Sequence, residues 1–248
     1  MPDTVNNQPV PENMGSIEKG ISGDYAFSIR AVLSEAWQKT NGAKWPIQLA
    51  FLYYFLVMMF LVSVIMIASM ALMTVPINAD PAIDSTTPII MQLVFQIGIN
   101  LVALPMMVGI VMIGIKRAVD APINANLVFA YFPKMFSLLI TVILIYIMVI
   151  IGLVLLVLPG IYLIVAYYMA LPLVVEKGLS PWQAMEVSRK TISRRWFRML
   201  GFFIVTSIII TISIIPLGIG LIWTLPLFII AYGIIYRNMF GVEATTTL

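Results

Sequence analysis

The 248-residue chain has no cysteine and no histidine. That removes disulfides, thiol nucleophiles, zinc sites of the Cys/His kind and histidine-ligated haem. It also removes the one side chain that ordinarily switches charge near neutral pH. Charge is scarce, since only 10% of residues are charged, against about a quarter in soluble domains. Apart from Arg198 at the edge of the fifth, no Lys, Arg, Asp or Glu falls inside the apolar runs delimited below, which speaks against proton coupling through buried carboxylates and against intramembrane hydrolysis. No glycine cluster has phosphate-cradling spacing. The seventeen methionines include the pairs Met58-Met59 and Met106-Met107, whose neighbours point to different helix faces and form no compact soft-metal cluster. The expectation is a protein without catalytic residues, cofactor or metal.

What the chain has is apolar length. Hydrophobic residues make up 61% of it, in continuous runs near the roughly 20 residues that cross a bilayer. Continuous rather than alternating runs exclude a β-barrel. The expected fold is all-α, a polytopic membrane helix bundle with six transmembrane helices at about 46–74, 89–115, 135–157, 161–175, 197–215 and 219–236. Residues 1–23 are polar, lack the apolar core of a cleavable signal, and are expected to form a disordered cytoplasmic tail. A single transmembrane domain over 24–241 and a cytoplasmic tail over 242–248 complete the division. Leu158-Pro159-Gly160 and Pro216 to Gly220 read as tight turns, and 75–88 as a longer loop carrying Asp80 and Asp84.

Three polar segments are amphipathic and too short or too charged to span. In 24–40, Phe27, Ile29, Val32, Leu33, Ala36 and Trp37 share one helical face, so this segment is expected in the membrane interface. The second is 116–134, with Asn124 as a helix N-cap, and the third is 176–198. All fourteen basic residues fall in these segments, in Lys19 or Lys44 beside them, or in Arg237 near the C-terminus. The three connections on the other side have none. By the positive-inside rule both termini are cytoplasmic, in a bacterial inner membrane. The pI of about 9.1 is then a consequence of topology, and a nucleic-acid partner is not expected.

The first and third segments are related. Residues 35–51, EAWQKTNGAKWPIQLAF, align without a gap to 186–202, EVSRKTISRRWFRMLGF, with six of seventeen positions identical. The simplest architecture is three units, each an interfacial helix followed by a two-span hairpin. Glu35 and Glu186 each precede a lysine by four residues, the favourable order for a helical ion pair.

The elements Leu158-Pro159-Gly160-Ile161-Tyr162, Ala170-Leu171-Pro172, Glu176-Lys177-Gly178, Ala184-Met185-Glu186 with Ser188, and Trp196 carry a family resemblance. With the ending 218–241, they resemble a broad group of uncharacterised bacterial polytopic membrane proteins. That group is related to the membrane domain attached to some glycerophosphodiester phosphodiesterases and to similar families of unassigned role. The resemblance covers about the last third of the chain. It carries over no enzymatic activity, because no soluble region could hold the phosphodiesterase domain.

Two sets of residues are candidates for function. Gln92, Gln96 and Asn100 recur every four residues on the second span and form a polar face. Ser207, Thr211 and Ser213 on the fifth span and Thr224 on the sixth add hydroxyls. Such groups line a path or simply bond within the bundle. Arg189, Lys190, Arg194, Arg195 and Arg198 are candidate contacts for anionic lipid, each adding about 1 kcal/mol near an anionic surface. The resulting expectation is a non-enzymatic membrane protein that interacts with anionic lipid or organises a membrane partner. The alternative is a transporter or channel for a small or amphipathic substrate.

Overall fold

The computed structural model describes residues 15–73 and 87–243. The loop with Asp80 and Asp84 lies outside the described residues. Among the described residues ten α-helices follow one another: α1 Ile17–Ser22, α2 Ile29–Lys39, α3 Lys44–Met73, α4 Thr87–Ala118, α5 Met135–Leu155, α6 Val157–Ala166, α7 Ala170–Glu176, α8 Pro181–Ser193, α9 Trp196–Ile214 and α10 Leu221–Phe240. Two 3-10 turns, Ala125–Phe129 and Phe132–Lys134, lie between α4 and α5. Six stretches of the described residues are long and apolar enough to cross a membrane, with α6 and α7 together making the fourth. The chain is therefore an all-α polytopic membrane bundle.

Its centre is the pair α4 and α10. A Cβ at Gly114 would lie 2.0 Å from the Ile229 carbonyl oxygen, and one at Gly233 would lie 2.2 Å from that of Gly114. The two backbones touch, which only glycine allows. Met106, Ile110, Ile113, Tyr236 and Phe240 fill the core around this contact.

The amphipathic helices differ from their expected placement. Phe27, Val32 and Ala36 are buried, and α2 packs against the C-terminal end of α10: Asn238 donates to the Ala26 carbonyl just before α2, and Arg237 to Glu35 within it. The apolar face of 24–40 thus covers protein, and of its six apolar residues only Trp37, 57% exposed, stays open. The α8 helix starts with a Ser180–Gln183 capping box and likewise buries Ala184, Met185, Ser188 and Ile192. In the middle segment Asn124 does cap a helix, accepting from Asn126 N–H, but the turn it caps packs inward, with Val128 fully buried.

Three further boundaries move. The fourth span breaks at Tyr167–Met169, where the Ser188 hydroxyl accepts from Met169 N–H and donates to the Ala166 carbonyl. A side chain from α8 thus satisfies backbone groups that the break frees. The preceding turn is at Leu156, not at 158–160. Pro159 sits in the first turn of α6, where a missing N–H costs nothing, and Gly160 packs within 2.9 Å (as a built Cβ) of Leu153 N. Finally, 15–23 are folded rather than disordered. Ser16 caps α1, and a Cβ at Gly20 would lie 2.8 Å from the Met239 carbonyl oxygen. At the other end, Val242 is buried and Glu243 N–H donates to Glu176, so these two tail residues are also held.

Candidate anion site at the start of the fifth span

The five basic residues of 189–198 separate into two groups. Arg189 and Lys190 stand on the outer face of α8 beside Glu186, with Lys190 Nζ 2.9 Å and Arg189 Nη2 4.0 Å from its carboxylate. The hydrogen bond from Lys190 holds the Glu186 carboxyl below its ordinary range. The other three turn inward onto the N-terminal segment. Arg194 donates to the Ile21 carbonyl at 3.0 Å, Arg195 to Gly23 at 3.4 Å and Arg198 to Phe27 at 3.3 Å. The Arg195 guanidinium also lies 5.3 Å from the centre of the Tyr25 ring. Tyr25 is buried, donates to the Thr191 carbonyl, and burial pushes its hydroxyl up to about 12.

Between this strap and the bundle is a cavity of about 380 Å³, lined by Phe27, Ser28, Val32, Glu35, Arg195 and Arg198. Its electrostatics favour an anion. Glu35 is already engaged by both Nη atoms of Arg237, at 2.7 and 3.1 Å. Neither Arg195 nor Arg198 has a carboxylate partner among the described residues. The Nε of Arg195 is buried with no hydrogen-bond partner. Two helices also begin here. Ser28 precedes α2 and Arg195 precedes α9, and neither makes a side-chain cap. No side chain caps the first-turn amides of α2, whereas in α9 the Arg198 N–H already donates to the Arg195 carbonyl; both starts are positive ends of helix dipoles.

A second polar cavity, of about 450 Å³, lies among Lys116, Tyr131, Lys134, Glu176, Lys177 and Glu243. Here both acids have partners within the site. Glu176 accepts from Tyr236 and from Glu243 N–H, both at 2.7 Å, while Lys177 lies 3.4 Å from Glu176 and 3.6 Å from Glu243. Lys134 donates to the Val175 carbonyl near the end of α7, where a cation suits the helix dipole. Glu176 is the functional-looking residue the sequence reading passed over. It closes the last turn of the fourth span with a buried side chain, although the hydropathy pattern assigned it to the polar segment that follows. The signal was present in the acid that ends an uninterrupted apolar run.

Gln92 and Gln96 are exposed on α4, and Asn100 is half-buried, donating to the Gln96 carbonyl at 2.7 Å. None of the three lines either cavity. Thr211, Ser213 and Thr224 all donate to carbonyls four residues earlier, and Ser207 is exposed. The expected Glu186–Lys190 pair forms, but the Glu35–Lys39 pair does not. Lys39 instead meets Asp120 and Glu35 meets Arg237, because α2 lies between α10 and the end of α4. Lys44 lies over the Trp223 ring, fourteen residues or about 21 Å along α10 from Arg237. Among the described residues no group of three or more acidic side chains is placed to hold a metal ion. No protein-family model matches the chain, and no curated protein or solved structure matches it either.

Proposed function

We propose that the chain is a non-enzymatic, multi-pass protein of a bacterial inner membrane, with cytoplasmic termini, that engages anionic lipid through its basic segments and so offers a fixed platform to a membrane partner. The observation that carries this reading is the Arg195–Arg198 cavity at the start of an apolar helix, where two guanidinium groups and two uncapped helix starts meet without an opposing carboxylate left free. Arg189 and Lys190, about half exposed beside the exposed Trp182, supply a looser second layer of positive charge. Aromatic rings next to cations are the usual furniture of a membrane–water boundary. Membership of the bacterial group whose membrane domain the last third of the chain resembles is part of the same proposal.

The test is thermal melting of the full chain in nanodiscs of phosphatidylcholine alone and of an equal mixture with phosphatidylglycerol. Preferential binding to the folded state raises Tm, so the mixture is expected to give the higher value, with the difference shrinking at high salt. Equal melting in the two lipids contradicts the proposal.

A further inference from the structure

We infer that the cavity between α2 and α9 is a built site for the phosphate of one anionic phospholipid, whose acyl chain lies along α9. The inference rests on the anionic-lipid reading above and sharpens it from a charged surface to a single bound molecule. Four features converge on the cavity. Arg195 brings a guanidinium whose Nε is buried and unpaired, although its Nη2 already holds the Gly23 carbonyl. Arg198, exposed at the edge, makes one long bond to the Phe27 carbonyl and keeps its other donors. The Ser28 hydroxyl makes no capping bond, so it and the first-turn amides of α2 remain available. The start of α9 adds the positive end of a second helix dipole. A planar fork of N–H groups beside helix N-termini is the donor set that phosphate oxygens fit.

Charge favours an anion. Glu35 is held by Arg237, so the two arginines of the lining leave two positive charges without a carboxylate, enough to hold a headgroup phosphate. Shape selects the source. Arg198, Gly201, Val205, Ile208 and Ile212 follow one another at helical spacing on a single face of α9. Gly201 leaves a gap there, since only the Ile29 side chain comes within 3.3 Å of a Cβ built on it. Further along, Ile208 and Ile212 are 54% and 59% exposed. A headgroup held at Arg198 thus has an open apolar track beneath it, which a free phosphate would not use.

Native mass spectrometry of the full chain in detergent, titrated with dioleoylphosphatidylglycerol, dioleoylphosphatidylcholine or inorganic phosphate, tests this directly. One phosphatidylglycerol per chain is expected to stay bound, with phosphatidylcholine lost and inorganic phosphate failing to displace it. Arg198→Gln should weaken retention about tenfold. Arg195→Lys keeps the charge and loses the fork, and should weaken it by a similar factor. Circular-dichroism melting confirms that each variant is folded, and Arg198→Gln, at an exposed position, keeps the test open if Arg195→Lys is not. Retention by folded Arg198→Gln equal to that of the parent chain overturns the site. Displacement by inorganic phosphate overturns the lipid assignment. If the nanodisc difference persists while retention is insensitive to Arg195 and Arg198, the site fails and the surface reading stands; if the nanodisc difference is itself absent, the surface reading fails.

Discussion

Residues 35–51 and 186–202 share a sequence pattern and a local build, yet they are wired differently. Each runs from a short amphipathic helix through a turn into a long apolar helix, and the long helices start at Lys44 and Trp196, within one residue of the aligned position. The cations that align, Lys44 and Arg195, both lie over aromatic rings, at 5.9 Å from Trp223 and 5.3 Å from Tyr25. The matched acids, however, have different partners. Glu186 pairs with its own helix, whereas Glu35 reaches Arg237, some two hundred residues away. The matched tryptophans diverge too: Trp45 is 78% exposed, while Trp196 donates to the Tyr162 carbonyl and packs against the Tyr162 ring. The matched threonines are both buried, but Thr40 donates to the Ala36 carbonyl and Thr191 Oγ1 has no partner. A repeat therefore dictates its own helix–turn–helix, and the position of each copy in the bundle dictates its long-range contacts.

This contrast predicts unequal costs for equal substitutions. The largest gap is expected at the acids. Glu35→Gln leaves Arg237, whose side chain is 17% exposed, without its carboxylate and should lower stability by about 2 kcal/mol. Glu186→Gln removes an exposed helical pair and should cost far less, within the range of ordinary surface substitutions. Thermal melting of the detergent-solubilised chains reads both, and equal shifts would erase the distinction between the copies. At the tryptophans, Trp196→Ala is expected to cost about 1.5 kcal/mol through the lost ring contact and hydrogen bond. Trp45→Ala should cost less than about 0.5 kcal/mol, and the reverse order would mean that the first copy is the better packed.

A smaller effect separates the copies by pH. Tyr25, which only the second copy engages, titrates near 12 in the folded chain against an ordinary value of 10. A raised folded value means that the stabilisation is complete below pH 10 and is lost as pH rises towards 12. The alkaline limb of the melting curve should therefore flatten in Tyr25→Phe, and an unchanged limb would remove Tyr25 from the account. The smallest effect is on the acid side. Glu186 is held below its ordinary range, so its contribution is present at neutral pH and fades as pH falls through the carboxylate region, by less than the scatter between ordinary surface variants.

The hydropathy pattern made six spans legible because continuous apolar runs can form only helices in lipid. Boundaries followed wherever local chemistry decides them, as with the Asn124 cap and the turn at Leu217 and Gly218, both at positive φ. What stayed hidden depended on partners distant in the chain. An amphipathic face looks the same whether it meets lipid or α10, so the burial of Phe27, Val32 and Ala36 could not be read from periodicity. The folding of 15–23 likewise depends on Gly20 meeting the Met239 backbone. At the candidate site, Arg195 and Arg198 were legible as cations near a membrane. Their convergence with Ser28 and the start of α2 was not, because it joins segments some 170 residues apart.

The central claim is that the basic residues of the second copy engage anionic lipid. Extraction of the full chain into polymer discs from membranes of known composition, followed by mass-spectrometric quantification of the lipids carried along, tests it most directly. The account predicts an anionic fraction above that of the bulk membrane, falling towards bulk when Arg189, Lys190, Arg194 and Arg198 are replaced by Gln. A parent chain that carries lipids in the bulk proportion would contradict it.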